Sequence, residues 1–323
     1  MLAHRVIVRS SAPAAIRTDE YAGYKARFAH ICMPIERTPQ YRMMLERGFP
    51  RRTKIMMQEF EVKMMQNLFS LYEVKVRVNG KDMRFIIDTG AQISGIRAQA
   101  AAGLQLPALK SGVEVGSVGS TREQRPAVRC DSLRLGGICW ENQPLIVLDQ
   151  DQFAVRLLNV DLLRFDGILG WDLLRTLDFE LDTIEGKMKV LKNRFILDHP
   201  NLIPCSFPTL LLRESDDTVS LFGIDTGAHQ GWLGDAYIRR RKLEVMRRTK
   251  MVGFGVHGKE EFETQIVKSV TLRLDRARIT MCGCMSALVD ILPDVTYDGV
   301  LGNEVFAGRR IRFVNSAAMV LLT

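Results

Sequence analysis

The chain is poor in cysteine. Its 323 residues hold six, Cys32, Cys130, Cys139, Cys205, Cys282 and Cys284, too few for a disulfide-built scaffold at this length. None stands in a Cys-x-x-Cys pair, and Cys282-Gly283-Cys284 lacks a companion pair or a neighbouring histidine, so no zinc site is expected. Long apolar runs are missing too. Nothing approaches the roughly 18 residues of a membrane span. Arg5, Arg9 and Ser10-Ser11 break up the start, which excludes a continuous secretory h-region. These absences point to a reduced, cytoplasmic protein with no membrane contact, no metal and no cofactor.

What is present suits two domains, or two plus an extension. Hydrophobic residues make up 46% and charged residues 25%, which leaves ample apolar material for two cores. The net charge of +8 is unevenly spread: residues 1–68 hold 12 Lys/Arg against 6 Asp/Glu. The basic character therefore belongs to the N-terminal segment. Its charges are interleaved with acids and apolar residues and no nucleic-acid motif accompanies them, so a solvated surface is expected and no nucleic-acid partner. The Met pairs at 43–44, 56–57 and 64–65 read as adaptable packing.

Within that segment, Thr38-Pro39 offers a helix start, and Gly48 with Pro50 a stop. The stretch from Ile55 to Met65 fits a strand through Phe60, Val62 and Met64, and a helix through Met56, Phe60, Met64 and Leu68. Periodicity leaves both open. From residue 74 the pattern sharpens. Val74, Val76 and Val78 alternate with charged residues, Asn79-Gly80 follows, and Met83, Phe85 and Ile87 return. That predicts a two-residue β-hairpin, whose second strand ends at Asp88.

The tetrapeptide there, Asp88-Thr89-Gly90-Ala91, recurs as Asp225-Thr226-Gly227-Ala228. Thr209 to Leu212, a polar turn at Glu214–Asp217, and Val219 to Ile224 precede the second copy in the same plan. Short helices are predicted after each copy, over Arg97–Ala102 and Asp235–Lys242. Glycine-punctuated stretches come next, and strands from Val128 to Leu135 and Val267 to Leu274. The glycine stretches, with Gly116, Val118 and Gly119 in one and Gly253, Phe254 and Gly255 in the other, are candidate flaps over a cleft. Each alone reads equally well as a surface hairpin. Asp166-Gly167-Ile168-Leu169-Gly170 and Asp298-Gly299-Val300-Leu301-Gly302 then lie 78 and 73 residues after their aspartates. Hairpin-like material closes each half, and His199-Pro200-Asn201 with Pro204 separates them. This is a repeat on the scale of a domain.

An acid leaving an apolar strand into a Thr-Gly turn is held beside a core, and two such acids from duplicated halves can meet. Carboxylates about 3 Å apart cannot both ionise, so they share one proton and place a base beside an acid. Asp88 and Asp225 are the candidate catalytic pair. Thr89 and Thr226 are candidates to hydrogen-bond across the junction, and Gly90 and Gly227 to permit close approach and offer N–H groups.

These motifs resemble the active-site loop and the hydrophobic-glycine element of the retropepsin-like aspartic proteases, over residues 69–323 and in two copies. The resemblance implies an all-β-dominated fold of two pseudo-symmetric closed β lobes with short helices, at 69–195 and 196–323, beside a mixed, basic N-terminal extension at 1–68. It implies hydrolysis of a polypeptide substrate by water activated between the two aspartates. The site would be complete in one chain, making a monomer sufficient. The alternative is a non-catalytic peptide- or protein-binding module on the same fold. Residues 1–68 read as a structural extension before a nucleic-acid-binding module or a pro-segment.

Two departures from the family pattern stand out. Ser or Thr commonly follows the Asp-Thr-Gly turn and donates to the carboxylate, which lowers its pKa. Here Ala91 and Ala228 do not, so a less acidic working range is expected. Retroviral relatives also carry an Asp after the tetrapeptide and an Arg after the glycine element. This chain has Gln92 and His229, Trp171 and Asn303. His229 reads as an ordinary loop histidine.

Overall fold

A computed structural model describes residues 5–28, 59–110, 112–115, 123–149, 156–157, 160–161, 163–192, 200–255, 258–287 and 295–323. The predicted hairpin is formed by strands Tyr72–Val78 and Lys81–Ile87. Asn79 and Gly80 have φ of 46° and 87°, the positive pair that a tight two-residue turn needs to match strand twist. Val74, Val76, Val78, Met83, Phe85 and Ile87 are buried on one face. Ile86 is buried on the other, in a second apolar cluster with Ile146, Phe165 and Ile168. The strand that delivers Asp88 is thus gripped from both sides.

The lobes are closed sheets. In the first, the hairpin continues through Gly167–Leu169, Gly95–Arg97, Ile138–Leu148 and Ala127–Leu135. The last returns to the first hairpin strand through Arg77↔Arg134 and Val78↔Leu133. In the second, Pro208–Arg213 and Val219–Ile224 form the hairpin, and Arg213↔Arg273 closes the ring against the long strand Gly258–Ala287. The fold is mostly β, with short helices at Ala98–Gly103, Trp171–Leu174 and Asp235–Arg240. No described helix is long and apolar enough to cross a membrane.

A shared sheet ties the halves. The closing hairpin of the first half, Asp178–Asp182 with Lys187–Leu191, pairs with that of the second, Arg310–Val314 with Met319–Leu322. One face is apolar: Phe179 and Phe313 stack with ring centroids 4.5 Å apart, and Leu181 faces Ile311. The other is ionic. Arg312 donates to Glu180 and Arg310 to Asp182, with Lys189 reaching both acids. Burial of these two carboxylates is compensated by at least two cations each.

Residues 1–68, expected to be an appendage, contribute a strand to each sheet. Arg5–Ala14 pairs with the long strand of the second lobe. Phe60–Gln66 lies between Lys187–Leu191 and the first hairpin strand, which resolves the strand-or-helix ambiguity. Sheet pairing on both sides outweighs the helical spacing of its methionines. The helix Thr18–Arg27 carries Tyr21 onto the second lobe, where its hydroxyl donates to Leu202 O at 3.0 Å. Ile16, Tyr21 and Phe28 are buried against Ile203, Phe207, Leu211 and Tyr297. The helix expected after Thr38-Pro39 lies outside the described residues.

Burying a large apolar side chain contributes about 1.5–3 kcal/mol, so these three together rival the whole stability of an ordinary domain. Deleting residues 1–28 should therefore lower the melting temperature sharply and expose apolar surface to a dye such as ANS. A truncated chain that melts with the parent would show the segment to be dispensable.

Candidate active site

Each aspartate arrives on a strand flanked by the glycine element of its own half. Leu169 pairs in parallel with Ile87, and its carbonyl accepts from Asp88 N at 3.0 Å. Leu301 pairs with Ile224, and its carbonyl accepts from Asp225 N at 2.9 Å. The glycines are required by close packing. A Cβ on Gly167 would lie 2.4 Å from the Phe85 ring, and one on Gly299 2.5 Å from the Phe222 ring. Asp166 accepts from Arg84 N at 2.8 Å and Asp298 from Leu221 N at 2.9 Å, fixing the start of each element.

The turns meet through a reciprocal set of bonds. Thr89 N donates to Thr226 Oγ1 and Thr226 N to Thr89 Oγ1, both at 3.0 Å. Each hydroxyl then donates onward to the opposite aspartate strand, Thr89 to Ile224 O and Thr226 to Ile87 O, both at 2.8 Å. Both threonines are wholly buried. Each hydroxyl acts as donor and acceptor at once, so neither threonine hydroxyl is left unpaired.

Asp88 and Asp225 are thereby brought together, each carboxyl packed against the glycine of the other's turn. Gly90 and Gly227 allow it: a Cβ on Gly90 would stand 2.4 Å from Asp225 Cγ, and one on Gly227 2.4 Å from Asp88 Cγ. Ala91 N donates to Asp88 Oδ1 at 2.9 Å and Gly227 N to Asp225 Oδ1 at 2.8 Å. Both aspartates are packed around by protein yet keep part of their surface open. Burial raises the pKa of Asp88. Burial and the adjacent Asp88 charge raise that of Asp225 well above the ordinary range. The pair retains a proton where an isolated carboxyl would have lost it.

A polar layer that no sequence motif announces lies behind the turns. Asp172, buried, accepts from Ser94 N at 2.9 Å, Ser94 Oγ at 2.7 Å and Gln143 Nε2 at 3.2 Å. In the second half Glu304 accepts from Gly231 N at 2.8 Å. These acids occupy one position of the repeat, two residues beyond the final glycine of each element, and that correspondence was the available signal. The preceding residues hold the turns by backbone: Trp171 N donates to Ala91 O at 2.7 Å and Asn303 N to Ala228 O at 2.9 Å.

Of the candidate flap residues, Gly116, Val118 and Gly119 lie outside the described residues. They fall between the paired strands Val113–Val115 and Glu123–Arg125. Gly253, Phe254 and Gly255 end the strand Val245–Gly255, which pairs with Gly258–Ala287 in a hairpin through Gly255↔Gly258. His229 is exposed beside the second turn. Among the described residues no three His, Cys, Asp or Glu side chains are grouped to hold a metal.

Burial pushes the Asp172 carboxyl up from 3.8 to about 6. The folded state then binds the proton more tightly than the unfolded chain, so this group's contribution to stability is full below pH 4 and lost as pH rises through 6. The shift corresponds to about 3 kcal/mol. Asp172→Asn keeps an acceptor for Ser94 without the charge. Denaturant titrations from pH 4 to 7 should show the parent losing roughly that much relative to the variant. A constant difference across the range would contradict the assignment.

A family model described as aspartyl protease matches residues 74–173. None of the curated proteins matches the chain. Among solved structures, a retropepsin-like aspartic protease from Rickettsia conorii matches at 18% identity, over 44% of this chain and 96% of that one, with a TM-score of 0.29. Through residues 74–173, which carry both the Asp88 turn and the Asp166–Gly170 element, the chain is similar to the aspartyl protease family.

Proposed function

We propose that the chain is an aspartic endopeptidase whose catalytic pair is Asp88 and Asp225, one from each half. The observation that carries this is the close approach of two part-buried carboxyls on equivalent turns, each packed against the glycine of the other's turn. In the single-proton state one carboxylate takes a proton from a water held between them, and the other carboxyl gives its proton to the carbonyl oxygen of the scissile bond. The tetrahedral diol collapses when a proton returns to the nitrogen, and the amine leaves. No bond to the enzyme forms. Both aspartates come from one polypeptide, so one copy supplies a whole site, and the substrate is an extended peptide.

The working pH follows from the environment. Activity requires one proton on the pair, hence a pH between its two macroscopic pKa values. Burial and mutual repulsion raise the site's affinity for protons, and Ala91 and Ala228 add no hydroxyl donor that would lower it. The optimum is therefore expected nearer neutral than that of stomach-type enzymes. Restoring the donors with Ala91→Ser and Ala228→Ser should move the acid limb of the rate profile down by about one pH unit. Asp88→Asn or Asp225→Asn should abolish cleavage of a peptide substrate while leaving the melting transition in place. Undiminished cleavage by the double variant would sink the proposal, and a transition-state analogue that binds a parent inert towards peptides would favour the binding-module reading.

A further inference from the structure

The residue after each glycine element does more than hold its own turn. Trp171 and Asn303 stand at equivalent places in the repeat, and both are buried. By backbone each binds the alanine carbonyl of its own tetrapeptide. By side chain each crosses to the other half. Trp171 Nε1 donates to Cys205 O at 2.9 Å. Asn303 Nδ2 donates to Ser70 O at 2.9 Å and to Thr226 O at 2.8 Å. Cys205 and Ser70 each lie just ahead of the hairpin that leads to an aspartate.

Both acceptors are prepared. Ser70 has φ of 60°, a left-handed conformation that is strained for a non-glycine residue. It is held there by Asn67, whose side-chain oxygen accepts from Phe69 N at 2.9 Å and Leu71 N at 3.1 Å. Gln66 Nε2 also reaches Ser70 O, at 3.3 Å. Cys205 N donates to Ile203 O at 2.9 Å, and its thiol to Phe207 O at 2.8 Å, which fixes the peptide that accepts from Trp171. The Trp171 ring lies 6.1 Å from Phe313 of the shared sheet.

We infer that Trp171 and Asn303 are paired positioning residues, a crossed latch that couples the seating of each lobe to the aspartate turn of the other. Each links two points that must stay in register, its own turn and the chain leading to the opposite hairpin, and Asn303 holds its turn twice, through Ala228 O and Thr226 O. The threonine contact sets the separation of the turns at one point. The latch adds contacts to either side of it and resists rotation of one lobe against the other about that point.

This inference rests on the protease reading only in its activity arm. The test compares the full-length parent with Trp171→Phe, Asn303→Leu and Arg312→Met. The first keeps a ring and removes the N–H. The second keeps the shape and removes both donors. The third weakens the shared sheet at Glu180 and touches neither turn. The Asp88 and Asp225 carboxyls are titrated by ¹³C NMR of aspartate-labelled protein, identified by the signals lost in Asp88→Asn and Asp225→Asn, and peptide cleavage is measured alongside. Letting the lobes part relieves like-charge repulsion, so the upper pKa of the pair should fall by about one unit in the two latch variants. Their kcat should fall about 10²-fold, with KM within about twofold. Arg312→Met should lower the melting temperature and leave the upper pKa unmoved. Equal pKa shifts in all three variants, or none in the latch variants, would overturn the inference. Should Trp171→Phe not fold, Asn303→Leu carries the same decision. A parent that cleaves nothing while its carboxyls shift as described removes the protease reading and leaves the latch standing.

Discussion

Two acidic groups that would repel if both were ionised are held side by side in this molecule, and the architecture is arranged around tolerating that. Left free, Asp88 and Asp225 would separate and ionise. They stay together because the reciprocal threonine bonds join the turns carrying them, and because the glycines remove the side chains that would keep the turns apart. Each threonine hydroxyl ends on the backbone of the opposite aspartate strand, so parting the halves would orphan four buried hydrogen-bonding interactions at once. Leaving such groups unpaired in a dry interior costs more than the bonds contribute when made.

That junction is small, and the shared sheet gives it leverage. Phe179 against Phe313 and Leu181 against Ile311 make one apolar layer from both halves. Apolar burial is nondirectional and drives the halves together; the buried Glu180 and Asp182 with their arginines add register, because a slip by one residue would strand both acids in the core. The N-terminal segment contributes again, with Phe60–Gln66 inside this sheet and Arg5–Ala14 on the second lobe. Arg213 secures the latter by donating to Ala15 O at 2.9 Å and pairing with Glu20.

The halves are equivalent in plan but differ in detail. Behind the first turn Asp172 gathers three donors, among them the Ser94 hydroxyl, which in turn accepts from Gly170 N at 2.9 Å. Behind the second turn Gly231 leaves no side chain to gather: a Cβ there would lie 2.2 Å from Val300 O, and the longer Glu304 reaches the backbone instead. The crossed bonds differ likewise, with an indole spanning one side and an amide the other.

Local patterns were legible in the sequence because local physics produces them. Alternation around Asn79-Gly80 specifies a hairpin from steric limits on positive φ alone, and recurrence of Asp-Thr-Gly-Ala announced two equivalent turns before any contact was known. The closed β lobes and the carboxyl pair follow from those patterns by repetition. Tertiary structure alone decided the rest. Phe60–Gln66 became a strand because both neighbouring strands lay ready to pair with it, while its own spacing suited helix or strand. Residues 1–68 looked separate by charge, but their apolar side chains found a face more than 170 residues away, with Tyr21 bonded to Leu202. Asp172 and Glu304 carry no motif of their own along the chain, and only the packed fold brings donors to them. Trp171 and Asn303 read as the loss of an arginine. Their acceptors lie 34 and 233 residues away, and no pattern along the chain encodes which carbonyl a buried donor will meet once two halves close on each other.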